Sequence, residues 1–183
     1  WGGRFSRYKE YSKGSPLNGK YDGYGYVYTD EHESVKDSFG GVNDVYACLW
    51  RWREDYQNDF AARMLWTISN SFDKANHNPV VKIDNDDTKN IIHLQANRSE
   101  TLYLDASATF DPDNDTLNYS WWNYFEPGTY NRKISIQNSS ANKVSITVPS
   151  DAKIGDTIHI VLTVRDSGTP VLTSYRRVVI TVK

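Results

Sequence analysis

Residues 105–124 read DASATFDPDNDTLNYSWWNY: a strand end, an acidic turn and a second strand carrying two tryptophans. Side chains of an extended chain alternate between its two faces. Leu117, Tyr119 and Trp121 therefore share one face, and Asn118, Ser120, Trp122 and Tyr124 share the other. The turn between the strands holds Asp111, Asp113 and Asp115 at alternate positions. The expectation is a half-buried strand with Trp121 in a core and Trp122 turned away from it.

The chain on either side continues this period of two from Val80 onward. Ile91, His93 and Gln95 alternate with Ile92, Leu94 and Ala96, and Leu102 and Leu104 share a face. Val144, Ile146 and Val148 alternate, as do Ile158, Ile160, Leu162 and Val164, and then Val178, Ile180 and Val182. PDND, PSDAKIGD and DSGTP supply turns between them. Short alternating strands at this spacing predict an all-β sandwich. Seven strands are expected, at about 80–84 with 91–96, then 101–106, 117–124, 130–136, 142–148, 156–165 and 173–182. That suits an immunoglobulin-like module with Trp121 as its buried tryptophan.

Upstream the character changes. Residues 1–41 are punctuated by Gly and Pro every few positions, which disfavours long regular elements. Within them YGYVYTD reads as a short strand or as a loop laying tyrosines on a neighbour. Residues 42–68 lack Gly and Pro, and Val42, Tyr46, Leu49, Arg53, Tyr56, Phe60 and Met64 recur at helical steps. A helix is predicted there, with Asn43 as its N-cap. Its wide aromatic side calls for more apolar cover than residues 1–41 contain. Residues 69–79, SNSFDKANHNP, read as a polar linker.

Composition narrows the classes of function. The 183 residues carry a net charge of −2, which gives no electrostatic reason to expect nucleic acid. There is no run of 18 apolar residues to form a membrane span. Cys48 is the single cysteine, which excludes an intramolecular disulfide. Aromatic residues are unusually abundant, with 13 Tyr, 6 Trp and 6 Phe making 14% of the chain. Tyr and Trp pair flat apolar area with a polar handle, a combination suited to binding faces and domain joints. Starting at Trp1, the chain reads as a processed or truncated product whose targeting signal lies upstream.

Two constellations carry chemistry. In a sandwich of this topology the first strand starts at the end where the acidic turn and the DSGTP loop lie. Asn76, Asp111, Asp113, Asp115 and Asp166 then gather at one pole. Their oxygens form a candidate Ca²⁺ site, because that ion takes six to eight oxygen ligands. The competing reading is that the carboxylates cap the turn by accepting backbone N–H groups. The second constellation is Trp122 and Tyr124, joined across the FEPG turn by Tyr130, as a stacking platform for sugar rings. The competing reading there is packing under a loop or against residues 1–75. Asp59 and Arg63 read as a helical ion pair, while His32, His77, His93 and His159 show no zinc or catalytic spacing. No catalytic residue is assigned.

The acidic turn and the Tyr-x-Trp strand resemble polycystic-kidney-disease-type immunoglobulin-like modules, with Asn114 where Gly is usual in that turn. WGGRF at 1–5, DFAARMLW at 59–66, NHNPVV at 76–81, the 111–130 stretch and DSGTPVLTSYRRVVITV together resemble a more specific family. It is the C-terminal part of bacterial cellulose-binding proteins with a nucleoside-hydrolase-like N-terminal domain. This resemblance implies that residues 1–75 are the tail of a truncated α/β hydrolase-like domain and that 76–183 form the immunoglobulin-like β-sandwich. It further implies a metal-binding Asp cluster upstream of Trp1, and a secreted, periplasmic or cell-surface protein whose partners are a polysaccharide and its own hydrolase-like domain.

Overall fold

The computed structural model describes residues 52–183 except Glu126 and Asn131, together with the backbone of four short strands nearer the N-terminus. The chain divides into two compact units, Trp1–Glu54 and Asp55–Lys183. In the first unit β1 (Ser6–Tyr8) pairs antiparallel with β2 (Val27–Thr29), and β3 (Val35–Lys36) pairs with β4 (Asn43–Asp44). The strand reading of YGYVYTD is thus met at its centre.

Asn43 lies in a strand and is not a helix cap. Helix α1 spans Arg53–Ile68, within the expected 42–68 stretch. The residues ahead of it carry the same apolar content, but β-branched and aromatic side chains also suit strands, and pairing with β3 decides the matter at Asn43–Asp44. The earlier helical positions Tyr46 and Leu49 lie outside the described residues, as do Cys48 and His32.

The second unit holds two sheets. One has the order β5–β11–β10–β7, built from Ile92–Ala96, Thr173–Val182, Thr157–Arg165 and Asn118–Asn123. The other has the order β6–β9–β8, built from Thr101–Asp105, Lys143–Thr147 and Ile136–Gln137. All pairings are antiparallel except β5 with β11, which run parallel. This strand order, with a parallel first strand beside the last, makes an immunoglobulin-like sandwich.

The alternation in the sequence explains the core. Ile158, Ile160, Leu162 and Val164 of β10 and Val178, Ile180 and Val182 of β11 face Leu104 of β6 and Val144 and Ile146 of β9, all buried. Trp121 is 3% exposed, sits opposite Leu162, and donates its indole N–H to the Ala141 carbonyl at 3.0 Å. Burying each such side chain stabilises the fold by about 1.5–3 kcal/mol.

Two expected strands shrink. Residues 130–136 are irregular up to the two-residue β8. Asn123 Oδ1 accepts the Ile134 N–H there, and Tyr130 N–H donates to the Thr157 carbonyl, so the segment's hydrogen bonds go to β7 and β10 instead of a ladder. Around 80–84 only single bridges form, Val80 with Phe110 and Ile83 with Asp86. Asp84 and Asn85 adopt positive φ and turn the chain.

Helix α1 belongs to the sandwich unit for nearly all its length. The Asp55 carboxylate accepts hydrogen bonds from Thr173 Oγ1 (2.9 Å), the Tyr175 hydroxyl and Arg165 (3.3 Å). Asn58 donates to the Val171 carbonyl at 3.0 Å. Asp59 and Arg63 make the helical ion pair at 2.7 Å. Met64, Leu65 and Ile68 stay exposed. Among the described residues no helix is long and apolar enough to cross a membrane.

Candidate functional site

Residues 69–79 are not a loose linker. Trp66 donates its indole N–H to the Asn76 carbonyl at 2.7 Å. The His77 ring stacks on Phe72 at 3.7 Å, nearly parallel, and lies 5.4 Å from Trp66. His77 N–H donates to Asp113 Oδ2 at 2.7 Å, and its Nδ1 lies 3.1 Å from Asp113 Oδ1. The connector is thus fastened to the helix on one side and to the acidic turn on the other. A polar composition concealed this, because the partners lie in distant segments.

The pole assembles as its topology requires. Asp111, Asp113 and Asp115 each present an oxygen within 4.8 Å of the others. Asp111 is 6% exposed. Its Oδ1 accepts the N–H groups of Asp113 (2.8 Å) and Asp115 (3.2 Å), so the turn-capping reading is realised. Asn114 takes φ +64, a left-handed conformation that Asn tolerates better than most residues. This is how Asn serves where related turns use Gly.

Capping leaves oxygens over. No donor among the described residues reaches Asp111 Oδ2, and burial, chiefly, pushes that carboxyl above its ordinary value. The charges of Asp166 and Asp115 push the same way, against the two backbone N–H groups. Asn76 is 8% exposed; its Nδ2 donates to Asp166 Oδ2 (3.0 Å) and the Pro170 carbonyl (2.8 Å), while its Oδ1 has no donor. Asp166 Oδ1 accepts from Gly168 and Leu172 N–H at 3.1 and 2.9 Å. Both Asp166 oxygens are therefore occupied, and its part is to orient Asn76. Asp115 touches the Ser167 hydroxyl at 3.4 Å.

The aromatic candidates divide. Trp122 and Tyr124 are brought together on the outer face of the larger sheet, ring centres 5.2 Å apart. Both are half-buried, and the Trp122 indole donates to Thr163 Oγ1 at 3.0 Å. Tyr130 does not join them. It packs against the core, and its hydroxyl donates to Asp151 at 3.0 Å, because irregular residues 127–135 return the chain across the end of β10.

A second aromatic group went unrecognised in the sequence. Trp66, Phe72 and His77 line an open groove of about 330 Å³ with Ser69, Asn70, Ser71 and Ala75. Phe72 is 60% exposed. The spacing of these rings follows no single period, since a helix end, a 3₁₀ turn (Phe72–Lys74) and the connector each supply one.

Comparison with known proteins places this geometry in context. Residues 101–182 match the family model described as cellulose-binding protein Sde0182, C-terminal domain. A nucleoside hydrolase-related hypothetical protein from Saccharophagus degradans, described as associated with carbohydrate metabolism, aligns over 100% of this chain. The identity is 41% and the TM-score 0.79, and the chain spans 42% of that protein's length. The PKD domain of the KIAA 1837 protein aligns over 51% of the chain and 81% of its own, at 19% identity and TM-score 0.35. Human CDH23 EC21-23 aligns over 58% of the chain and 34% of its own, at 17% identity and TM-score 0.42. Neither of these two carries weight on function. No curated protein matched the chain.

Proposed function

We propose a non-catalytic, carbohydrate-associated role for this chain, whose residues 101–182 carry the C-terminal domain of the Sde0182 cellulose-binding protein family. That match is the observation that carries the reading, and cellulose or a related plant polysaccharide is the ligand class. Sugar rings stack their C–H faces on aromatic rings, with hydroxyls bonding to nearby amides and alcohols. The groove of Trp66, Phe72 and His77, edged by Ser69, Asn70 and Ser71, offers both in an open setting. Trp122 and Tyr124 form the alternative platform, less open because both rings are half-buried. A polysaccharide ligand in turn favours a secreted, periplasmic or cell-surface location.

In this reading residues 1–75 form the tail of a hydrolase-like domain and 76–183 the appended sandwich. The alignment of this chain with 42% of the nucleoside hydrolase-related protein is in keeping with a hydrolase-like parent, while the compact units divide earlier, at Glu54 and Asp55. The exposed apolar residues Met64, Leu65 and Ile68 support an upstream partner surface in the same polypeptide. The same alignment favours two alternatives: a structural spacer that buttresses the hydrolase-like domain and holds no sugar, and a part of an N-glycosidase-like hydrolase whose metal site lies upstream.

The test is retention of the 183-residue chain on microcrystalline cellulose, beside Phe72→Ala and Trp122→Ala variants. Retention lost with Phe72→Ala assigns the groove, and loss with Trp122→Ala assigns the sheet face. Retention no greater than that of a non-binding control protein removes the sugar role and leaves the buttress.

A further inference from the structure

The acidic pole adjoins the Trp66–Phe72–His77 groove through the His77–Asp113 contact, and hydrogen bonding among the described residues leaves it unfinished. Two acceptor oxygens are buried there without donors among the described residues, Asp111 Oδ2 and Asn76 Oδ1. They come from segments 35 residues apart in sequence and from residues that are each more than nine-tenths buried. A buried acceptor without a partner costs about 1–3 kcal/mol, and more when charged. Asp113 and Asp115 bring further carboxylate oxygens within 4.8 Å of Asp111. Repulsion among these carboxylates adds to the cost.

Asn76 is held in one orientation. Asp166 Oδ2 and the Pro170 carbonyl both accept from its Nδ2, which fixes the amide and leaves Oδ1 buried without a donor among the described residues. The next residue, His77, is bonded through its backbone N–H to Asp113 itself, so the connector lies directly on the acidic turn.

We infer that this pole binds a hard divalent cation of the calcium class, with Asp111 Oδ2, Asp113, Asp115 and Asn76 Oδ1 as protein ligands and Asp166 as the residue that positions Asn76. An all-oxygen set that includes a neutral amide, with water completing six to eight positions, suits Ca²⁺. Mg²⁺ is smaller, demands near-octahedral geometry and parts with its water reluctantly. The cation pairs both orphan oxygens and offsets the clustered negative charge. It also ties the connector at Asn76–His77 to the turn at Asp111–Asp115. The site acts as a clasp on the connector and takes no part in bond chemistry.

Calorimetric titration of the chelator-treated 183-residue chain with Ca²⁺, together with thermal unfolding, tests this. Saturable binding and a midpoint raised by several degrees are expected, with Mg²⁺ giving less at equal concentration. Asp115→Asn keeps the turn, because Asp115 accepts only a long bond from Ser167. It is expected to weaken Ca²⁺ binding at least tenfold without lowering the metal-free midpoint, since one of the mutually repelling carboxylates is removed. Asn76→Ala is expected to lower both affinity and midpoint. No saturable heat and no shift beyond an ionic-strength control at millimolar Ca²⁺ overturns the site, and so does undiminished binding by Asp115→Asn. Cellulose retention is scored separately on Phe72→Ala and Trp122→Ala, neither of which removes a proposed cation ligand, so either proposal can fail alone.

Discussion

The Trp66 indole N–H donates to the backbone carbonyl of Asn76 at 2.7 Å. One bond thereby joins the last turns of helix α1 to the residue whose side chain enters the acidic pole. The Trp66 ring also neighbours His77, whose other contacts are Phe72 and Asp113. Helix, connector and sandwich turn meet in this set of contacts. Trp66→Phe keeps an aromatic ring but removes the donor together with the five-membered half of the indole. It is expected to destabilise the unit by about 1 kcal/mol, read as a lower urea midpoint. An unchanged midpoint would mean that solvent satisfies the Asn76 carbonyl equally well.

Gly168 lies against the Asn76 amide. A Cβ placed there would come 2.2 Å from Asn76 Nδ2 and 2.5 Å from Oδ1, so either the loop or the amide must move. Gly168→Ala is expected to cost about 1–3 kcal/mol, the range for overpacking a close contact. Its particular signature is loss of the Asn76–Asp166 bond, visible as a displaced Asn76 side-chain amide resonance. A wild-type spectrum and midpoint would show that the loop yields freely.

Asp55 fixes the start of the helix to β10 and β11 through Arg165, Thr173 and Tyr175. The exposed Arg165 partner contributes little. The two hydroxyl bonds to a sheltered carboxylate contribute more, because hydrogen bonds to charged groups are the stronger kind. Asp55→Ala is expected to cost about 2–3 kcal/mol and to raise amide exchange in the first turns of α1 ahead of the strands. Uniform exchange along the helix would argue against this anchoring.

His159 supplies a pH dependence. Its imidazole is held below its ordinary value, first by burial and then by the charges of Arg177 and His93. Arg177 donates to its Nδ1 at 2.7 Å, which fixes the neutral ring as acceptor. The unfolded chain takes up a proton near pH 6.5, whereas the folded chain does so only at lower pH. Stability is therefore full above about pH 7.5 and falls as pH drops through the unfolded value toward the folded one. His159→Gln is expected to flatten the midpoint-against-pH curve between about pH 7 and pH 5. Superimposable curves for the two proteins would rule out His159 as the source.

The sandwich was readable because its information is local. Leu117, Tyr119 and Trp121 declare an inward face by alternation alone, as do Ile158, Ile160, Leu162 and Val164, and burial follows that parity. The DPDND turn was readable for the same reason, since an Asx-turn is made by a side chain and the backbone two residues on. The gathering of Asn76, Asp111, Asp113, Asp115 and Asp166 at one end followed from topology, once the sandwich was granted. Asn43 was expected to cap the helix and lies in a strand instead, because apolar spacing does not separate a helix from a strand when the pairing partner is elsewhere. Tyr130 was misassigned because its direction depends on where β8 can pair, which involves Asn123 and Thr157.

The sequence by itself thus determined the sandwich, its tryptophan core and its acidic pole, since each is set by neighbours along the chain or by strand order. The tertiary structure alone decided which oxygens the pole leaves without donors. It also decided that the polar stretch 69–79 is fastened at Trp66 and Asp113, and that Trp66, Phe72 and His77 form one surface. Those outcomes depend on distances between segments that no local pattern encodes. Packing chose them by satisfying some polar groups and leaving Asp111 Oδ2 and Asn76 Oδ1 without donors among the described residues.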